Sequence, residues 1–446
     1  MKIYSLAIAA LVLAVLTGFL YWSGHHKPGE DATKISADTP PAILKLDSNS
    51  ITKLELKKKD ADSVVLDKAG SGDWQITEPK SLRADQSSVE GVTSALSSLN
   101  SERLVEDKAT DLKTFGLDNP SYEVDVTEKD NKSQKLLLGD DTPASGGVYA
   151  MLAGDPTIFT IATYTKTGIE KDLSDLRDRR LLPLDADKVS RVELLRKNQD
   201  LEFGRNKGNW QILKPKPMRA DSPQVGDLVR DLTDAKMDLT SSDSKEAASK
   251  FATGTAVATA KLTDESGTQQ LQVRKNKDDY YARSSAVDGV YKIQSNLGTQ
   301  LDKGLGDYRN KKVFDFGYND PNKIELHNGN KSYFLTRGTA GMEDWWSNGK
   351  KMDFANVESV ISDLRDLSAN SFPDSGFSNP TIEAVVTSSD GKQSETVQIA
   401  KVGDHYIAKR ENEPALYQLS SNSVDGLLKA ADDLKPTAPP ASQKKS

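Results

Sequence analysis

Gly72–Val89 reads GDWQITEPKSLRADQSSV, and Gly208–Val225 reads GNWQILKPKPMRADSPQV. Trp74 aligns with Trp210, Pro79 with Pro215, and Arg83-Ala84-Asp85 with Arg219-Ala220-Asp221, every pair at an offset of 136 positions (210 − 74). A constant offset over this many positions marks an internal repeat. A third, more divergent copy carries Trp345-Trp346 and reads KMD at Lys351–Asp353.

The phase of the apolar residues that follow decides the local structure. After Asp85 come Val89, Val92, Leu96 and Leu99; after Asp221, Val225, Leu228, Leu232 and Ala235; after Asp353, Val357, Val360, Leu364 and Leu367. Spacings of three and four residues place each set on one stripe of a helix. The Asp before each stripe suits a helix start, because its carboxylate accepts from an unpaired first-turn N–H. Pro223 is tolerated two residues after Asp221, where the N–H has no helical partner.

Strands flank these helices. Phe115-Gly116-Leu117-Asp118-Asn119-Pro120 leads into the alternating SYEVDV (Ser121–Val126), and Asn379-Pro380 leads into TIEAVVT. The second copy has AVATAKL (Ala256–Leu262) at this place. Further apolar runs recur as KLLLG, QLQVR and ETVQIA, then VYAML, YYARS and HYIAK, then TIFTI, GVYKI and ALYQL. A short closing helix is expected around 166–176, 297–306 and 423–433. The fold class is therefore α+β: three tandem modules at 43–182, 183–313 and 314–435, each a mostly antiparallel sheet with packed helices.

The W…P…RAD run, the FGLDNP step and LRDRRLL at Leu176–Leu182 resemble the bacterial family known as domain of unknown function 4340, in tandem copies over 43–435. The second copy departs from the pattern at FATGTA (Phe251–Ala256) and the third at Lys351–Asp353. The resemblance implies an N-terminal anchor. It also implies an accessory role beside transporters similar to the ABC systems of gliding motility. It supplies no catalytic residues.

Ile3–Trp22 carries no charge, and twenty helical residues span about 30 Å, close to the hydrocarbon thickness of a bilayer. Tyr4, Tyr21 and Trp22 stand where aromatic rings favour the headgroup region. The competing reading is a cleaved signal peptide, but Phe19–Trp22 is bulky where small residues are wanted. Residues 1–22 are thus expected to be a single-pass anchor with a cytoplasmic N-terminus. Residues 23–42 are expected to be a polar linker, 436–446 a disordered tail, and the bulk of the chain extracytoplasmic.

The 446 residues are 36% hydrophobic and 28% charged, with a formal net charge of −7 and no cysteine. The acidic balance argues against a nucleic-acid partner. The missing cysteines exclude disulfides, thiolate catalysis and Cys-ligated metals. His25, His26, His327 and His405 are scattered, and no GxSxG, HExxH, P-loop or dinucleotide pattern occurs; Ser242–Lys245 matches SxxK within an expected polar loop. No catalytic, cofactor-binding or metal-binding residue is assigned, and no cofactor is expected. Trp74, Trp210 and Trp345 read as core anchors. If Trp345 points inward on a strand, Trp346 points outward. Trp346, Arg83 and Arg219 are therefore the candidate partner contacts. For the two arginines, an ion pair or a cover over the Trp is the competing reading. The function expected is a non-enzymatic, membrane-anchored binding or scaffolding protein with an envelope protein partner. The alternatives are an envelope hydrolase acting on glycan or peptide, and a cell-wall glycan-binding module.

Overall fold

The computed structural model describes residues 42–143, 146–239, 244–317, 321–388 and 391–437. The anchor of 1–22, nearly all of the linker and all but the first two residues of the tail lie outside these. Among the described residues no helix is long and apolar enough to cross a membrane. The chain divides between Asp178 and Arg179 into two compact units.

The first unit holds one antiparallel sheet. Its strands run in the order Leu82–Arg83, Trp74–Glu78, Val64–Lys68, Ile51–Lys58, Tyr122–Glu128, Ser133–Asp141, Gly147–Leu152, Ile158–Ala162 and Arg103–Glu106. The chain starts at the middle and meanders to one edge. The helix Gln86–Ser97 follows, then the strand Arg103–Glu106 at the opposite edge; the chain returns to the middle at Tyr122–Glu128, and a second meander runs out to meet that edge strand. The second unit repeats the two meanders and the helix between them twice, in sheets of eight strands each. One sheet places Arg191–Leu195 beside Thr255–Asp264, and the other places Lys323–Asn328 beside Ile382–Ser388.

The central register is the same in all three. Leu54 faces Val126 and Leu56 faces Val124; Val192 faces Leu262 and Leu194 faces Ala260; Ile324 faces Val386 and Leu326 faces Ala384. All twelve side chains are buried. This is the alternation expected of sheets with one covered face, since successive side chains point to opposite sides.

The cover is the long helix. Its stripe is buried in each copy, through Val89, Val92 and Leu96, then Val225, Leu228 and Leu232, then Val357, Val360 and Leu364. Burying each such side chain contributes roughly 1.5–3 kcal/mol. The expected caps are present: Asp85 accepts from the Ser88 N–H, Asp221 from Gln224, and Asp353 from Ala355 and Asn356.

Two backbone clasps recur. The lead-in to each sheet pairs with the residues just after the long helix, at Ala42–Asn100, Arg180–Lys236 and Lys312–Ser368. The residue before each capping Asp pairs with the segment after the closing helix, at Ala84–Arg177, Ala220–Arg309 and Met352–Pro436. Leu181 and Leu182 accordingly pack in the core of the second sheet, and Val313 in that of the third.

The helix Ser244–Thr253 corrects the expected polar loop. Ser242 and Asp243 lie outside the described residues, but Lys245 is helical. Ala247 and Phe251, one turn apart, pack on Tyr281 and Val290 in a small separate core. The FGLDNP step has its own device. Gly116 sits at φ 66°, and a Cβ there would lie 2.5 Å from the Asp140 carboxylate, so only glycine fits.

Candidate functional site

Arg219 ends the two-residue strand Met218–Arg219, two positions before the helix-capping Asp221. The Ala220–Arg309 clasp fixes the backbone on either side, so the guanidinium is delivered to a set place. There it meets the third module within the second unit. Nε donates to Glu413 Oε2 at 3.0 Å, Nη1 to Asp315 Oδ2, and Nη2 to the Lys312 carbonyl and to Tyr417 Oη at 2.9 Å. Arg410 lies alongside, with Nη2 2.7 Å from Glu395 Oε1 and Nε 3.3 Å from Glu413 Oε2. Tyr417 donates to Glu413 Oε1 at 2.7 Å, and Glu395 Oε2 accepts from the Asp315 N–H at 3.0 Å.

Two guanidinium groups, three carboxylates and a phenol thus satisfy one another. Burial lowers the pKa of Arg219, but Tyr417, Asp315 and Glu413 outweigh it and raise the value above the ordinary one. Burial pushes Tyr417 up to about 12, against the pull of Arg219. A second contact adjoins: the Arg309 guanidinium lies 3.4 Å from the centre of the Phe372 ring, which itself packs edge-on against Tyr417 at 5.4 Å. Beside the cluster is a groove of about 400 Å³ between the second and third modules, lined by Arg219, Glu395, Arg410 and Glu413. Chemically the cluster is a charge-assisted latch, in which the forked arginine is the donor that fits carboxylates on two sides.

Arg83 occupies the corresponding place in the first unit. Its Nε is 3.5 Å from the carboxylate of the buried Asp178, whose N–H also donates to the Arg83 carbonyl. In the third module the position is Lys351, 3.5 Å from Asp344. Lys68 lies over Trp74 and Arg205 over Trp210.

Trp74, Trp210 and Trp345 are buried in their cores, whereas Trp346 is 41% exposed. Trp346 pairs with Thr336 across the sheet, and its indole N–H donates to Asp344 Oδ1 at 2.9 Å. The Ala340 N–H, Trp346 and Lys351 together hold the Asp344 carboxyl below the usual range. Phe334 and Met342 are exposed in the same part of the third module, and His327 packs edge-on against Phe334 at 5.5 Å. The matching outward positions are Gln75 and Gln211 in the other copies, so the aromatic patch belongs to the third copy alone. His405 bonds to Asp404, while His25 and His26 lie outside the described residues.

Arg219, expected as a partner contact, is engaged within the chain, and its partners there are not announced by the sequence. Asp315, Glu413 and Tyr417 are 96, 194 and 198 positions away, and no periodicity links them. The buried Glu395, alternating with Val397 and Ile399 along one strand face, was the available signal.

No curated protein matches the chain. The family model described as Domain of unknown function (DUF4340) matches residues 74–209 and 210–383, two abutting segments that each begin at the repeated tryptophan. The chain belongs to this family and carries its matched segments in tandem.

Proposed function

We propose that the chain is a non-enzymatic scaffold, held to a membrane by Ile3–Trp22 and presenting its modules to an envelope protein outside the cytoplasm. An accessory role beside an ABC-type transport or gliding-like machine is the setting the family resemblance favours. The observation that carries the reading is the Arg219 latch, which joins the second module to the third while the Trp346 patch stays open. A second unit latched between its two modules and bare at one aromatic face suits holding a partner, because exposed Trp and Phe anchor contacts well.

The test is crosslinking in intact cells, followed by detergent extraction and mass spectrometry, with the wild-type chain and with Trp346→Ala. The scaffold reading expects envelope proteins in the wild-type crosslinks and their loss in the variant. Recovery of the wild-type chain alone would sink it.

A further inference from the structure

The geometry points to an anion site on the second module, a cavity that takes a ligand carrying two or more phosphate groups. This goes beyond the scaffold reading and does not depend on it. The cavity has a volume of about 630 Å³, within the range of sites for small ligands. Three segments of the fold converge on it. Arg196 and Lys197 follow the strand Arg191–Leu195; Lys275 lies near the end of the strand Gly267–Asn276 and Lys277 in the turn to Asp279–Ser284; and Asp302 ends the helix Ser295–Asp302.

Four cations therefore face one carboxylate across the cavity, on a chain whose net charge is −7. Among the described residues none of the four side-chain cations forms an ion pair; the nearby Asp200 carboxylate accepts from the Arg196 backbone N–H at 3.1 Å. Other cations of the same module are paired, Lys292 with Asp279 and Lys250 with Glu246. Like charges that outnumber their counterions raise the local potential and draw an anion from solution.

The cluster is also held in place. The Arg196 guanidinium donates to the carbonyls of Gln199 at 3.3 Å, Lys303 at 2.5 Å and Leu301 at 3.5 Å, so its charge is fixed by neutral acceptors and not cancelled. The Lys275 ammonium rests 5.3 Å from the centre of the Tyr280 ring. That ring lies so close to Gly298 that a Cβ there would sit 2.1 Å from Tyr280 Cε1. A single phosphate carries about two charges near neutral pH. Four cations spread over this volume match at least two phosphate groups better than one. The ligand can come from solution or from phosphate-bearing lipid headgroups, since the recognised group is the same.

The test is an amine-labelling footprint on the full-length chain in nanodiscs of phosphatidylcholine at low ionic strength. Tripolyphosphate is expected to protect Lys197, Lys275 and Lys277 at least about tenfold better than equimolar inorganic phosphate, and added salt should abolish the protection. Binding measured by calorimetry should weaken about tenfold or more in a Lys275→Gln/Lys277→Gln double variant, whose changes are both at exposed positions. Equal protection in nanodiscs containing phosphatidic acid, with no soluble phosphate, would assign the site to lipid headgroups. Protection by tripolyphosphate alone would assign it to a soluble ligand. No protection by either probe, equal protection by inorganic phosphate, or undiminished binding by the double variant would overturn the inference.

Discussion

Replacing Arg219 with methionine keeps much of the side chain's bulk and removes the charged fork. Four donor contacts disappear, to Glu413, Asp315, the Lys312 carbonyl and Tyr417, and Asp315 and Glu413 are left to share Arg410. Removing one partner of a fully buried pair costs about 3–5 kcal/mol. Here the Arg219 side chain is 22% exposed and Asp315 34%, so water repays part of the loss. The expected cost is about 2–3 kcal/mol, in line with losing one or two hydrogen bonds to charged groups beyond what solvent replaces. The damage should be local to the joint, because neither hydrophobic core contains Arg219. Hydrogen exchange on the full-length chain reads this directly. Amides around Lys312–Phe316 and Arg410–Tyr417 should exchange about 30- to 140-fold faster, at 1.4 kcal/mol per tenfold. Those of Val192 and Leu262 should hardly change. Arg219→Lys keeps the charge without the fork and should fall between. If the joint amides of the methionine variant speed up by less than about threefold, the latch is ornamental and the argument from it fails.

Three further outcomes follow from other parts of the structure. Leu96→Ala removes a wholly buried side chain from the first core and should cost about 2–5 kcal/mol, seen as faster exchange in 42–178 with the second unit unchanged; faster exchange in both units would contradict the division. Tyr417 has a folded pKa of about 12 against 10.0 when free, so the stability it contributes is present below pH 10 and is lost as the pH rises towards 12. Tyr417→Phe should therefore lose less stability between pH 9 and 11.5 by urea midpoint, and parallel curves would refute the assignment. Gly298→Ala forces the Tyr280 ring aside and should lower stability by about 1–3 kcal/mol by thermal melting, whereas an unchanged melt would mean that the ring has room.

The parts of this fold that were legible in the sequence are those written in short periods. Val89, Val92 and Leu96 announce a helix because a turn is shorter than four residues, and Asp85 announces its start because capping is local. The strand Tyr122–Glu128 was legible for the same reason. The helix Ser244–Thr253 was not, since only Ala247 and Phe251 of its face are apolar enough to be buried, and its polar residues look like loop. The short strand Arg103–Glu106, which adds a ninth strand to the first sheet, has mostly exposed side chains and no alternation to betray it. The latch lies further still from local reasoning. Arg219 stands out as half of a repeat, but Tyr417 reaches it only because two sheets with similar paths come together at one joint. The anion cavity is of the same kind: Arg196, Lys277 and Asp302 are unremarkable apart and meaningful only once three turns share one end of a sheet.

The abutting matches of the family model part between Asn209 and Trp210, and Asn209–Lys214 is a single strand whose neighbours are Leu201–Asn206 and Met218–Arg219. The matched segments and the units that each bury a core are therefore out of step by about one hairpin. Anyone who expresses a fragment cut at the alignment limit would divide the second sheet between two polypeptides, each with an unsatisfied edge ready to pair with whatever strand it meets. Cuts placed next to the clasp residues, near Asp178 or Asn310, would leave every ladder whole.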